Sequence, residues 1–448
     1  MSIYSLQNLT PDMHTIHSGF SFAAPVEGDK ANIIKGMLKS ADKDAKLPFG
    51  QSPSTLFVSI VVVPSQRYQK EELPETLLLL TSYSGPLKTH LDELVAYCGK
   101  GLDELFQNCK GYPGTGNAPD EVLKNYLLKH RLPDTFYSGM HGITSTDVER
   151  EEKLRKEIKR YIDGEQEKGT FKGLEAGAIR GLIQQHIRSK GNEYAWAHTP
   201  CKRTFHDFWK LYLNAILFLL VLGFFVSSAI LYLLFPNPFF GTAAIMFITF
   251  LVLAAIGIWY IESGKDIVAK RVPDEKMRII AATQTNPVVN EMTAAGPLKN
   301  GWVRRMIFIT VLRVVSWARG LINIPTICTA RWIAADNGKR LVFISNFTNK
   351  SDSYVRDFID SKSSARGINI MFGHGIGYPK TRMLAWGGNI DDPDGFMNVL
   401  HTNQYATEFW YAPHKNLTVD ILRNNRKIRN GLFGDMPPRE SQEWLNLL

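Results

Sequence analysis

The densest group of residues able to do chemistry runs Phe372-Gly373-His374-Gly375-Ile376-Gly377-Tyr378-Pro379-Lys380-Thr381-Arg382. Gly373, Gly375 and Gly377 alternate, and glycine lets a backbone approach a ligand closely. His374 can ligate haem iron or act as acid or base, because imidazole titrates near neutral pH. Lys380 and Arg382 can hold an anionic group, and Tyr378 adds a hydroxyl. The spacing is not a dinucleotide-binding fingerprint, since the third glycine comes one residue early. The same residues also read as a glycine-rich connection that satisfies its own turns.

Arg331 is the second candidate. It interrupts the apolar run Pro325–Ala334, and Ile60 stands at the matching place earlier in the chain. A charge inside a sheet must be paired or functional. On a solvent face the alternation would be ordinary. His90 and Tyr354 occupy matching helix positions, and His141 and His414 lie near matching turns; each reads as a satisfied residue rather than a ligand. Trp332, Phe343, Phe347, Phe372, Trp386, Phe409, Trp410 and Tyr411 suit either an apolar pocket for haem, lipid or quinone, or plain core. No serine elbow, phosphate loop, HExxH or paired catalytic carboxylates occur. Cys98, Cys109, Cys201 and Cys328 lack metal-ligand spacing. So few thiols lean towards a reducing compartment. Met1–Thr15 is polar, so no signal peptide is expected.

The elements that must carry these residues begin with a membrane segment. Leu211–Ile261 contains no Asp, Glu, Lys or Arg. A bilayer core needs ~20 apolar residues per helix. Pro236-Asn237-Pro238 breaks the block into spans Leu211–Phe235 and Phe239–Ile261, because proline clashes with a continuing helix. Lys202, Arg203 and Lys210 precede the first span, and Lys265, Lys270 and Arg271 follow the second. The positive-inside rule then places both flanks in the cytoplasm. The net charge of +9 is accounted for by an anionic membrane surface, and no nucleic-acid partner is expected. A third apolar stretch, Val303–Ile322, reads as an interfacial helix with Trp302 and Trp317 near its ends. At ~100° per residue, Arg305, Arg313, Ser316, Arg319 and Asn323 share one stripe towards headgroups. An ordinary amphipathic helix packed on a domain is the other reading.

The flanking regions repeat each other. Ser54–Val63 and Pro325–Ala334 read as strands. Leu78–Tyr83 matches Val342–Phe347, and His90–Leu94 matches Tyr354–Phe358. Gly111-Tyr112-Pro113 recurs as Gly377-Tyr378-Pro379, and Thr135-Phe136-Tyr137 as Glu408-Phe409-Trp410. Thr144 and Thr418 are expected N-caps of closing helices, and Asp391–Asp394 marks a helix start. The second copy adds expected strands at Ile368–Phe372 and Met383–Trp386. Glu149–Arg188 reads as a solvated, charged helical run leading to the membrane.

On these residues, over roughly Thr55–Asp163 and Thr326–Gly431, the chain resembles a bacterial family of ferredoxin-like, dimeric α/β-barrel proteins grouped loosely with dye-decolorising peroxidases. The resemblance implies two ferredoxin-like α+β repeats forming a pseudo-dimer around an inserted hairpin. It also implies haem held by a proximal histidine, for which His374 is the candidate. The family's GxxDG-type distal motif is absent. The expected domains are residues 1–200, the first repeat with its helical extension; 201–265, the hairpin; 266–324, a linker with the interfacial helix; and 325–448, the second repeat. Two functions follow. One is an integral membrane platform, both repeats cytoplasmic, that binds lipid, another apolar ligand, a protein partner or a second copy. The other is a haem-dependent peroxidase acting on apolar substrates through His374 and Arg331.

Overall fold

The computed structural model describes residues 16–448 apart from 42–45, 115, 202–204, 265–267, 285, 322–323, 325, 351–353, 357–358, 360–361 and 434–435. Lys202, Arg203, Lys265, Asn323, Pro325, Asp357 and Phe358 lie outside the described residues. The protein is mixed α+β, with antiparallel sheets and two helices long and apolar enough to cross a membrane.

Strands β2 (Thr55–Val63) and β3 (Thr76–Ser84) are buried at every position. Their near-continuous apolar runs need cover on both faces, since a half-exposed strand would alternate. The fold supplies it by stacking two sheets. With β1 at His17–Pro25, β4 at Arg131–Leu132 and β10 at Phe409–Tyr411, the first sheet runs β10-β2-β3-β1-β4. The second contains β5 (Asp134–Ser138), β6 (Val289–Pro297), β7 (Ile327–Ala335), β8 (Arg340–Thr348) and β9 (Gln404–Tyr405), in the order β5-β7-β8-β6-β9. The orders match position for position. Each sheet also takes one edge strand from the other half of the chain. Pro133 alone separates β4 from β5, so the chain steps between sheets there. Proline suits that step, because it has no N–H to leave unpaired. Residues 406–408 make the equivalent step between β9 and β10.

Val61, Val63, Leu78 and Leu80 of one sheet meet Ile333, Val342 and Ile344 of the other in a buried layer. Each such side chain contributes about 1.5–3 kcal/mol on burial. The outer face of the first sheet is covered by α1 (Ala31–Ala41), α2 (Leu87–Phe106) and α3 (Asp120–Lys129). Outside the second sheet lie α10 (Lys362–Phe372) and α11 (Pro393–Asn403). Three sequence readings change here. Ile368–Phe372 closes α10 rather than forming a strand. Met383–Trp386 is mostly a turn between the paired segments Thr381–Arg382 and Trp386–Gly387. The 266–324 stretch is more than a linker, because it holds β6, which lies inside the second sheet.

Thr144 and Thr418 do cap α4 (Ser145–Glu167) and α12 (Val419–Leu432). Asp392 caps α11. Helices α4 and α5 (Ala176–Ser189) are not a solvated run. They bury Leu154, Ile158, Ile183 and Ile187 against Ile428, Leu432 and Trp444, the last from α13 (Pro438–Leu445).

The apolar helices are α6 (Phe205–Leu234) and α7 (Pro238–Glu262). Asn237 caps α7 by accepting from the Phe239 amide at 2.9 Å, with Pro238 at the first turn. The helices pack on each other, Phe225 stacking on Phe247 at 5.5 Å. Their remaining surfaces are largely exposed and apolar. Between α8 (Asp274–Thr283) and β7, helix α9 (Trp302–Ala318) packs on α6, α7, α10 and β5. The Arg304 guanidinium donates to the Ile261 carbonyl at the last turn of α7, where unpaired carbonyls attract a cation.

Glu262, at the end of α7, makes the second attachment. Its Oε1 accepts from Thr381 Oγ1 at 2.7 Å and from the Leu384 amide at 2.9 Å. Its Oε2 accepts from the Met383 amide at 2.8 Å. Met383 and Leu384 both have positive φ, a region disfavoured for side-chain-bearing residues. One carboxylate thus holds a strained turn and ties it to the hairpin. Glu262→Ala should cost about 1–3 kcal/mol, the usual penalty for orphaned donors, and should speed hydrogen exchange at the Met383 and Leu384 amides. Unchanged exchange at those amides would refute the clamp.

Candidate functional site

Arg331 points between the sheets. It is 3% exposed and crosses to the opposite sheet. Its Nη1 donates to the Phe20 carbonyl at 3.0 Å and to Ser21 Oγ at 3.3 Å. Its Nη2 donates to the Thr81 carbonyl at 2.8 Å and to Ser82 Oγ at 2.7 Å. Phe20 and Thr81 are cross-strand partners on β1 and β3. Asp134 supplies the counter-charge at 3.7 Å and also accepts from Ser21 Oγ at 2.7 Å. The guanidinium lies over the Phe136 ring at 5.3 Å. Burial lowers its pKa, opposed by Asp134 and Tyr83. Every direction is occupied by protein, so Arg331 fastens the sheets together and has no face left for a substrate. Its counterpart by sheet position is Ser59, not Ile60: Ser59 pairs with Leu80 as Arg331 pairs with Ile344. A one-residue offset moves a side chain to the other face.

The glycine–histidine cluster does not converge on a ligand site. Tyr378 is buried and donates to Asn369 Oδ1 at 2.8 Å. Asn369 in turn donates to the Ala385 and Gly387 carbonyls at 3.1 and 2.9 Å. Tyr112, in the earlier Gly-Tyr-Pro turn, likewise donates to Asp103, nine residues before it. Gly111 and Gly377 both have positive φ, which explains the glycine there. Gly373 is closed in by the Asn369 carbonyl and by Thr381, and Gly375 donates to the Phe372 carbonyl at 2.9 Å. Lys380 is exposed, and Arg382 pairs with Asp391 at 3.0 Å on the surface.

His374 is fully buried against Phe308 of α9, ring centroids 5.3 Å apart. Neither ring nitrogen has a hydrogen-bond partner among the described residues. Burial, with Arg304 and Lys299 nearby, pushes its pKa down to about 3. An axial haem ligand needs space for the macrocycle beside a ring nitrogen, and His374 is fully buried and lines none of the larger cavities formed by the described residues. The residues present do not fit haem. His90 is equally satisfied: it bonds Ser54 at 2.8 Å and Thr81 at 2.7 Å and stacks on Tyr83 at 4.3 Å. Tyr354 does the corresponding thing on the other sheet, bonding Ser345 at 2.8 Å and stacking on Phe347 at 4.1 Å. His141 sits 5.5 Å from the buried His17, and His414 bonds the Ser145 carbonyl at 3.3 Å.

The structure instead assembles a cavity of about 460 Å³ on the outer face of the second sheet. Its floor is Met292 of β6, Trp332 of β7 and Phe343 of β8. Gly367, Ile368 and Phe372 of α10 form one wall, and Phe396 and Leu400 of α11 another. The end of α9 closes it with Val315, Arg319 and Leu321. Such a volume falls in the range of roughly 300–1,000 Å³ that suits small ligands. Its polar groups are mostly spoken for. Thr135 Oγ1 donates to the Leu312 carbonyl at 2.8 Å, and the Tyr137 hydroxyl bonds both Ile324 backbone groups. The Trp332 indole N–H is buried with no partner among the described residues.

Of the aromatic residues singled out by sequence, Trp332, Phe343, Phe372 and Tyr354 line this cavity. Phe347, Phe409, Trp410 and Tyr411 pack in three separate cores, and Trp386 is exposed. Helix α9 is not laid free in an interface. Trp302, Arg313 and Trp317 are exposed, Arg305 packs beside Gly338, and Arg319 turns inward. Sequence reasoning missed Glu291, a buried carboxyl between the sheets bonded to Thr293 and Thr407. Burial pushes it up to about 7, with Glu408 adding to the rise. It also missed Gly367 and the β5 partner of Arg331, Asp134. The acidic side chain just after Pro133 was the available signal for the latter. A scan against family models and a search of curated proteins both found no match.

Two outcomes follow. Arg331→Met should cost about 3–5 kcal/mol in chemical denaturation, as for removal of one partner from a buried charged network. Arg331→Lys should fall between, because a point ammonium cannot serve a forked set of acceptors. Wild-type stability in Arg331→Met would refute the clamp. His374 is neutral when folded, whereas its unfolded form gains a proton below pH about 6.5. Its contribution is therefore present above pH 6.5 and lost as pH falls towards 3. The slope is at most about 1.4 kcal/mol per pH unit. His374→Met should flatten that acid limb, and an unaltered limb would show that another group sets it.

Proposed function

We propose that this chain is an integral membrane protein that holds an apolar, lipid-like ligand in the cavity beside its hairpin. The observation that carries this reading is the position of α9. The same helix closes the cavity with Val315, and Leu321 just beyond its end adds to the wall, while its length packs along both apolar helices. A molecule dissolved in the bilayer would therefore meet the cavity at the membrane boundary. The exposed row Trp302, Met306, Ile309 and Trp317 on α9, with the cation Arg313 among them, supports contact with lipid at a headgroup boundary. The unpartnered Trp332 N–H favours a ligand carrying an acceptor oxygen, since an unmade bond in that wall costs about 1–3 kcal/mol.

The body that frames the cavity is, in this reading, a duplicated ferredoxin-like unit. Matching strand orders, exchanged edge strands, the two Gly-Tyr-Pro locks and the paired stacks at His90 and Tyr354 support it. The basic flanks Lys210, Lys270 and Arg271 support a cytoplasmic position for both halves.

Gly367 provides the test. It lines the cavity, and a Cβ built there meets nothing within 4 Å. Gly367→Leu should fill the entrance without strain and gain up to about 1 kcal/mol of helix stability. In zwitterionic nanodiscs, a fluorescent long-chain alcohol should bind the wild type and lose most of that binding in Gly367→Leu. Equal binding by both proteins would overturn the cavity as the ligand site.

A further inference from the structure

Arg319 gives the proposed cavity a chemical preference. It is half-buried at the C-terminal end of α9, where it lines the apolar cavity. It also lines a second, adjoining cavity of about 510 Å³, with Tyr83, Lys210 and Ser18 in its wall. The two spaces therefore share one residue, and that residue is a cation. Among the described residues Arg319 makes no hydrogen bond or ion pair. The nearby carboxylate, Asp134, is already engaged by Ser21 at 2.7 Å and Arg331 at 3.7 Å. A half-buried guanidinium without a close anion leaves a desolvation cost that a bound anion would recover. Lys210, on the first turns of α6, places a second positive charge on the same outer space.

Resting on the reading of the cavity as a lipid-ligand site, we propose that its ligand is a single-chain anionic lipid, a long-chain carboxylate. Its chain lies against Phe343, Phe372 and Leu400. Its carboxylate sits at Arg319, facing the Lys210 side. A guanidinium pairs two donors with one carboxylate, which fixes the orientation head-outward. The cavity volume admits one chain rather than a diacyl lipid. The source is the adjoining bilayer, because α9 and Lys210 both stand against it.

The test compares two probes of equal chain length, a fluorescent stearic acid and its alcohol, in zwitterionic nanodiscs at pH 8. The wild type should bind the acid about tenfold more tightly than the alcohol, the effect of one charge-assisted bond. Arg319→Gln should bring that ratio close to one through loss of acid binding, and an unchanged thermal-unfolding midpoint shows that the variant folds. Gly367→Leu should lose both probes. Equal binding of acid and alcohol by the wild type, or an unchanged preference in Arg319→Gln, would overturn the carboxylate assignment and leave the apolar cavity standing. Failure of the wild type to bind either probe would overturn the cavity reading and this inference with it.

Discussion

Two sheets can stack only if the polar atoms trapped between them find partners. Here one guanidinium serves four such atoms at one end of the stack. Arg331 reaches from β7 to two carbonyls and two hydroxyls of the facing sheet, with Asp134 as its counter-ion. Next to it the layer is aliphatic, and beyond that a second buried arginine, Arg340, donates to the Pro74 carbonyl at 3.1 Å and pairs with Asp336 at 3.1 Å. The apolar end supplies most of the free energy, because area removed from water dominates. The polar end supplies register, because a forked donor tolerates few alternative arrangements. A neutral side chain at that position would leave acceptors and Asp134 unpaired.

The outer face of the second sheet depends on this arrangement. Phe136 lies under the Arg331 guanidinium and also lines the apolar cavity. Its strand, β5, comes from the first half of the chain. The cavity is therefore built by both halves, and α9 connects it to the hairpin through Arg304 and the Ile261 carbonyl. A hairpin held this way is fixed in position relative to the cavity.

The parts legible in sequence were those with strong local causes. Pro236-Asn237-Pro238 placed the hairpin turn, and Asn237 caps α7 as its type suggests. Thr144, Thr418 and Asp392 cap their helices because short polar side chains satisfy orphan amides. The β-branched runs became β2 and β7. Less legible were β1 and β6, whose sequences HSGFSFAAP and VNEMTAAGP contain many small residues. Those strands are held by cross-strand neighbours rather than by their own propensity. The run Ile368–Phe372 was too short for its period to separate strand from helix.

The sequence by itself determined that an uncharged hairpin interrupts an α+β chain, where helices α4, α7, α11 and α12 begin, and that two stretches share a pattern. Those features arise from interactions within a few residues, so they are written locally. Tertiary structure alone decided which sheet each edge strand joins, because a three-residue strand pattern carries no information about its partner. It also decided that His374 is sealed under Phe308 while Arg319, read as a headgroup contact, turns inward. Whether a polar side chain becomes a clamp, a core residue or the rim of a cavity depends on what is packed against it. Those neighbours lie tens to hundreds of residues away.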